Sequence, residues 1–132
     1  MSKIKLLEMI KSNTQYEWVN LQIDATDEES KALTAAGVRQ FPGAIRNFQD
    51  TAALIMAMDV VISVDTAIAH LSGALGRPTW VMLNWFASCW RWMSNRDDSP
   101  WYSTIRLFRQ PAIDDWQSVT KKVSQFLSWM KV

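Results

Sequence analysis

The sequence predicts an α/β fold built on a mostly parallel sheet, and three observations carry that prediction. Runs with strand periodicity alternate with runs of helical periodicity along the whole 132-residue chain. One run, "VVISV" at residues 60–64, is apolar on both faces, as a strand covered by helices on each side must be. Glycine, proline and capping residues punctuate the runs, with no low-complexity linker and no long internal repeat, so residues 1–132 are expected to form one Rossmann-like domain.

Taken in order, Ile4, Leu7 and Ile10, with Leu6, form a helical stripe. "EWVNLQI" at residues 17–23 sets Trp18, Asn20 and Gln22 against Val19, Leu21 and Ile23, which is strand alternation. "TDEESKALTAAG" has Thr26 or Asp27 as N-cap, acids in its first turn and Gly37 as its stop. A short strand, "VRQF", ends at Pro42-Gly43, after which Asp50 or Thr51 is expected to cap "TAALIMAM". After "VVISV", a helix from Thr66 closes at Gly76 with Pro78 beyond it, and "TWVML" reads as a second buried strand. "STIRLFR" is a strand with Ile105 and Leu107 on one face and Arg106 and Phe108 on the other. Trp116, Val119, Val123, Phe126, Leu127 and Met130 trace one face of a closing helix. The sum is a five-stranded, three-layer sandwich.

Composition narrows the function classes. Fourteen basic against thirteen acidic side chains, with no run of either sign, give no nucleic-acid or anionic-membrane surface. A single cysteine, Cys89, leaves no internal disulfide, and with one histidine it makes no recognisable metal-ligand set. No metal and no cofactor are expected. The polar residues of "MSKIKLLEMIKS" break up any signal-peptide core, and no apolar run reaches the ~18 residues of a membrane span, so a cytoplasmic protein is expected.

Chemistry is expected at the carboxyl edge of the sheet, where open α/β sheets bind ligands. "DTAIAH" follows a buried strand there, and its helix start should offer the backbone amides of Ala67, Ile68 and Ala69 together with the positive end of the helix dipole. Thr66 and His70, four apart, share one face and can present a hydroxyl and an imidazole to an anion, and Gly73 extends that face. Ile68, Leu71 and Leu75 are expected to pack on the sheet. Against this stands plain helix capping, which uses the same residue types. Downstream, "NWFASCWRWMSNRDDSPWY" holds four of the eight tryptophans, and its Arg91 could face a phosphate. The indoles of that loop fit a lid on the sheet edge better than a nucleobase platform.

"DTAALIMAMDVVISVDTAIAHLSGALGRPTWVML" followed by "WRWMSNRDDSPWYSTIRLFRQ" resembles the carboxyl-terminal, donor-binding half of heptosyltransferase-like glycosyltransferases (family 9), in the branch associated with tetratricopeptide repeats. The similarity runs back to "VNLQ". In that family an Asp-Thr-(Gly or Ala)-x-x-His segment meets the donor's nucleotide diphosphate, which implies that role for Asp65, Thr66, Ala67 and His70. The resemblance implies a nucleotide-sugar ligand and hexosyl or heptosyl transfer. It also implies a missing amino-terminal half that holds the acceptor site and catalytic base, to be supplied by a protein partner or by self-association; no catalytic residue is expected in this chain. Without the family's first donor-domain strand, "WVNLQ" is expected to pair directly with "VVISV", giving the flavodoxin-like order 2-1-3-4-5. The competing expectation is a non-catalytic interaction module that associates through its Trp-rich surface.

Overall fold

The computed structural model describes residues 3–21, 26–41, 45–64, 66–84 and 104–130. In chain order they form α1 (Lys3–Lys11), α2 (Asp27–Ala35), α3 (Phe48–Met56), β1 (Val61–Val64), α4 (Ala67–Ala74), β2 (Thr79–Leu83), β3 (Ile105–Arg109) and α5 (Trp116–Trp129).

Local chemistry sets the helix limits. Side-chain oxygens of Thr26, Asn47 and Asp115 accept from the backbone amides of Glu29, Asp50 and Ser118 at 3.2, 2.9 and 3.1 Å, each satisfying an amide that the first turn leaves over. The helix α3 therefore starts earlier than the expected Asp50 or Thr51. Asn47 takes the cap because Asp50 is turned backward, its carboxylate accepting from the Arg46 amide at 3.0 Å. Gly37 and Gly76 end α2 and α4 with φ of +88° and +71°, a backbone region that costs other L-residues about 1–2 kcal/mol. Beyond each glycine the next amide returns to the helix: Val38 donates to the Leu33 carbonyl and Arg77 to that of Ser72.

The sheet is parallel throughout its three strands, in the order β1-β2-β3. Val61 pairs with Thr79 and Thr79 with Ile105, so the three carboxyl ends lie along one edge. Helices cover both faces. On one, Ala69 of α4 packs with Val81, Leu83, Ile105 and Leu107. On the other, Met82 and Phe108 pack with Met9 of α1 and with Val119, Val123 and Leu127 of α5. Trp80, Phe108 and Phe126 form a ring cluster there, with centroids 5.2–6.2 Å apart. The expected stripe of α5 is the face that packs, whereas α1 buries Met9 and Ile10 and leaves Leu7 half-buried.

Two of the five expected strands are not built as strands. Of the described residues in these two runs, 17–21 and 38–41 meet in a single parallel bridge, Val19 to Arg39, with Arg39 donating to the Trp18 carbonyl at 2.7 Å and Asn20 to the Arg39 carbonyl at 3.0 Å. Among the described residues no ladder joins this pair to β1, so neither the five-stranded sheet nor the order 2-1-3-4-5 is formed. The physical reason lies in what covers the pair. Val38 is buried and Trp18 packs at the margin of the α5-face cluster, but the neighbouring α2 buries no residue, and a two-stranded pair with so little apolar cover is marginal in water.

Candidate functional site

The site lies where β1 stops at Val64 and α4 begins at Ala67. Thr66 is the N-cap residue, with extended φ and ψ of −138° and 174°, yet its side chain makes no capping bond. Its hydroxyl instead shares a 3.1 Å hydrogen bond with the Ser63 hydroxyl, which can also donate to the Val64 carbonyl at 2.8 Å. The other three described N-caps bond their helices, so α4 differs in leaving its positive end without that side-chain oxygen.

Of the three amides expected to be available, one is used internally. The Ala69 amide donates to the Thr66 carbonyl at 3.1 Å, tightening the first turn, and the His70 amide reaches the same oxygen at 3.4 Å. The helical geometry leaves Ala67 and Ile68 as the amides directed past the helix end. Thr66 and Ala67 are exposed, while Ile68 and His70 are half-buried. Ala69 is fully buried against the sheet and Gly73 is buried beside it. Asp65 and Arg91 lie outside the described residues, as do the aromatic loop at residues 85–103 and Cys89 within it.

The sheet-facing side of α4 is a correction to the sequence reading. Ala69, Ser72 and Gly73 are buried, whereas Ile68, Leu71 and Leu75 are half-buried. Small residues let the helix lie close on β1 and β2, and the buried Ser72 hydroxyl is satisfied, since the Ser72 and Thr79 hydroxyls share a 2.6 Å hydrogen bond. The larger side chains take the flanks.

Two parts of this edge were not anticipated. Ser63 carries a hydroxyl to Thr66, and its signal was visible as the one polar residue in "VVISV". At the end of β3, Arg109 is half-buried and Gln110 is buried, with the Gln110 amide donating to the Leu83 carbonyl at 2.9 Å. The exposed Asn84 follows β2. Among the described residues no three His, Cys, Asp or Glu side chains are placed to hold a metal ion. No described helix is long and apolar enough to cross a membrane.

A parallel sheet with helices on both faces and a helix start at the strands' carboxyl ends defines a Rossmann-like α/β protein. Within that class the chain belongs to glycosyltransferase family 9 (heptosyltransferase), whose family model matches residues 13–82, a segment that contains β1, α4 and nearly all of β2. It is 31% identical over 115 residues to Protein FlbA of Caulobacter vibrioides, an alignment covering 83% of this chain and 19% of that protein. The chain thus spans only a small part of the length of the curated relative it matches. No solved structure matches it.

Proposed function

We propose that this chain binds a nucleoside-diphosphate sugar, with the diphosphate at the start of α4. The observation that carries the reading is the α4 terminus: Thr66 leaves the helix end uncapped and directs its hydroxyl to Ser63, at the sheet edge where ligands of this fold class sit. Family membership supports it independently. The Ala67 and Ile68 amides, the Thr66 hydroxyl and the His70 imidazole are the contacts, with Ala67 small enough to admit the anion. Asp65, next in the sequence after Val64, belongs to the same motif. Ala69 and Gly73 serve by packing α4 close to the sheet.

During transfer the acceptor oxygen bonds to the anomeric carbon as the bond from that carbon to the diphosphate oxygen breaks. The departing oxygen takes the electron pair, and the helix end stabilises the charge that develops on it. One helix terminus contributes about 0.3–2 kcal/mol to an anion, so it is one contributor among several. The acceptor and the base that takes its proton are assigned to another polypeptide segment, and the cytoplasm is the proposed setting.

Titration of the full chain with uridine, guanosine and adenosine diphosphates, followed by tryptophan fluorescence, tests the reading. Saturable binding that Thr66→Ala weakens about 3- to 10-fold and His70→Ala weakens similarly is the expected result, one hydrogen bond being worth about 0.5–1.5 kcal/mol. No response at millimolar ligand overturns it. That outcome favours the interaction module, for which the supporting observation is Trp129, 62% exposed and edge-on to Phe126 at 5.0 Å.

A further inference from the structure

We propose that Ser63 is a positioning residue: its hydroxyl holds the Thr66 side chain off the α4 amides, keeps that helix end uncapped, and decides whether Thr66 has a proton to give a ligand. The consequence for a bound diphosphate rests on the donor-binding reading above, whereas the hold on Thr66 stands apart from it.

Backbone conformation does not account for the missing cap. Thr66 has φ and ψ of −138° and 174° and Asn47 has −158° and 177°, yet Asn47 accepts from the Asp50 amide. Residue type does not account for it either, since Thr26, also extended, accepts from the Glu29 amide. Thr66 differs in what stands three residues before it. The other described N-caps have Ile23, Ala44 and Ala112 there, none with a hydrogen-bonding side chain, and Thr66 has Ser63. Ile62 and Val64 pack at the margin of the α5-face cluster, so strand alternation puts Ser63 on the α4 face, where its Oγ stands 3.1 Å from Thr66 Oγ1. With the Thr66 oxygen held there, the Ala69 amide, the one a threonine cap would bond, turns to the Thr66 carbonyl at 3.1 Å.

Counting protons gives the hydroxyl pair two states. Ser63 has one hydroxyl proton and two oxygens within reach of it, the Val64 carbonyl at 2.8 Å and Thr66 Oγ1. When the proton goes to Val64, the Thr66 proton must serve the 3.1 Å bond between the hydroxyls, and Thr66 has none left for a ligand. When it goes to Thr66, the Thr66 proton is released and can be donated outward from an exposed side chain. Neither oxygen has to move. The oxygens of an ionised diphosphate accept and do not donate, so a diphosphate at the start of α4 selects the second state at the expense of the Ser63 bond to Val64. Ser63 thereby acts on the ligand only through Thr66.

Two double-mutant cycles on the full chain test this. The first needs no ligand and follows urea unfolding of wild type, Ser63→Ala, Thr66→Ala and the double variant. Without Ser63, Thr66 is expected to fall back to ordinary capping, so Thr66→Ala should lower the midpoint more in the Ser63→Ala background than in wild type. An equal or smaller shift overturns the hold on Thr66. The second cycle is isothermal titration of the same four proteins with uridine, guanosine and adenosine diphosphates. Ser63→Ala is expected to weaken binding about 3- to 10-fold where Thr66 is present and by less than about 2-fold where it is Ala, and Ser63→Thr, which keeps the hydroxyl, should bind as wild type does. No loss, or a loss as large without the Thr66 hydroxyl, overturns the action through Thr66 while the α4 site stands. If wild type binds none of the diphosphates, the donor-binding reading falls and the ligand role of Ser63 with it, and the unfolding cycle still decides the hold on Thr66. If Ser63→Ala does not fold, Ser63→Val takes its place in both cycles, with Ser63→Thr as its isostere that bears the hydroxyl.

Discussion

At the scale of single residues, N-caps show how the same side-chain chemistry is put to two uses. Thr26 and Thr66 both stand before a helix, but Thr26 bonds the Glu29 amide, whereas Thr66 turns to Ser63. No local rule separates them. The difference comes from the strand before Thr66, which carries Ser63 within reach. Asp115, the cap of α5, illustrates the ordinary use with an ionisable group. Hydrogen bonds from the Ser118 hydroxyl and then the Ser118 amide hold its carboxyl below the usual value of 3.8, outweighing a small effect of burial. Because the folded-state pKa is the lower one, the contribution to stability is fully present above the unfolded value and is lost as pH falls through the folded one. Thermal unfolding followed from pH 7 down to pH values well below 3.8 should show a fall in the wild-type midpoint that is smaller in Asp115→Asn, whose cap carries no titrating proton.

Between elements, polar side chains do much of the fastening. Asn13, buried two residues past α1, donates through Nδ2 to the Met9 carbonyl at 2.8 Å and to the Ser124 hydroxyl of α5 at 3.0 Å, and its backbone carbonyl accepts from the Trp18 indole at 2.9 Å. Tyr16 adds a hydrogen bond to the Leu127 carbonyl. These bonds set how α1 lies against α5, a relation that the apolar stripes alone leave free to slide. Asn13→Ala is expected to destabilise the protein by about 1–3 kcal/mol in urea unfolding, since it leaves the Ser124 hydroxyl without this donor and opens a small void. The stripe of α1 was legible only in part, because Met9 and Asn13 join Ile10 on the packed face through contacts that lie far along the chain. The helix α4 makes the same point with size. Counting apolar residues selects Ile68, Leu71 and Leu75, while the sheet takes Ala69, Ser72 and Gly73, which permit the closer approach.

Across the whole molecule, packing is uneven. β2 lies between two strands and two helical layers, and Val81 and Leu83 are 0% and 1% exposed. The Val19–Arg39 bridge has no such cover, and the exposed Glu17–Arg39 ion pair beside it is worth only about 0–1 kcal/mol. Native-state hydrogen exchange should therefore show the amides of Asn20 and Arg39 exchanging through a low-energy opening, with those of Val81 and Leu107 protected up to the global limit. Equal protection in the two regions would show that the bridge is part of the cooperative unit.

The sequence by itself determined the α/β class, the parallel run from "VVISV" to "STIRLFR", the glycine stops of α2 and α4, the buried stripe of α5 and the position of the "DTAIAH" segment at a helix start. These are local or periodic properties, written in residues a few positions apart. Only the tertiary structure decided that the described residues 17–21 and 38–41 meet in one bridge rather than in two full strands, and which face of α4 meets the sheet. Each depends on which segments cover one another, and covering is settled by the summed burial and hydrogen bonding of distant residues, not by the pattern within any one of them.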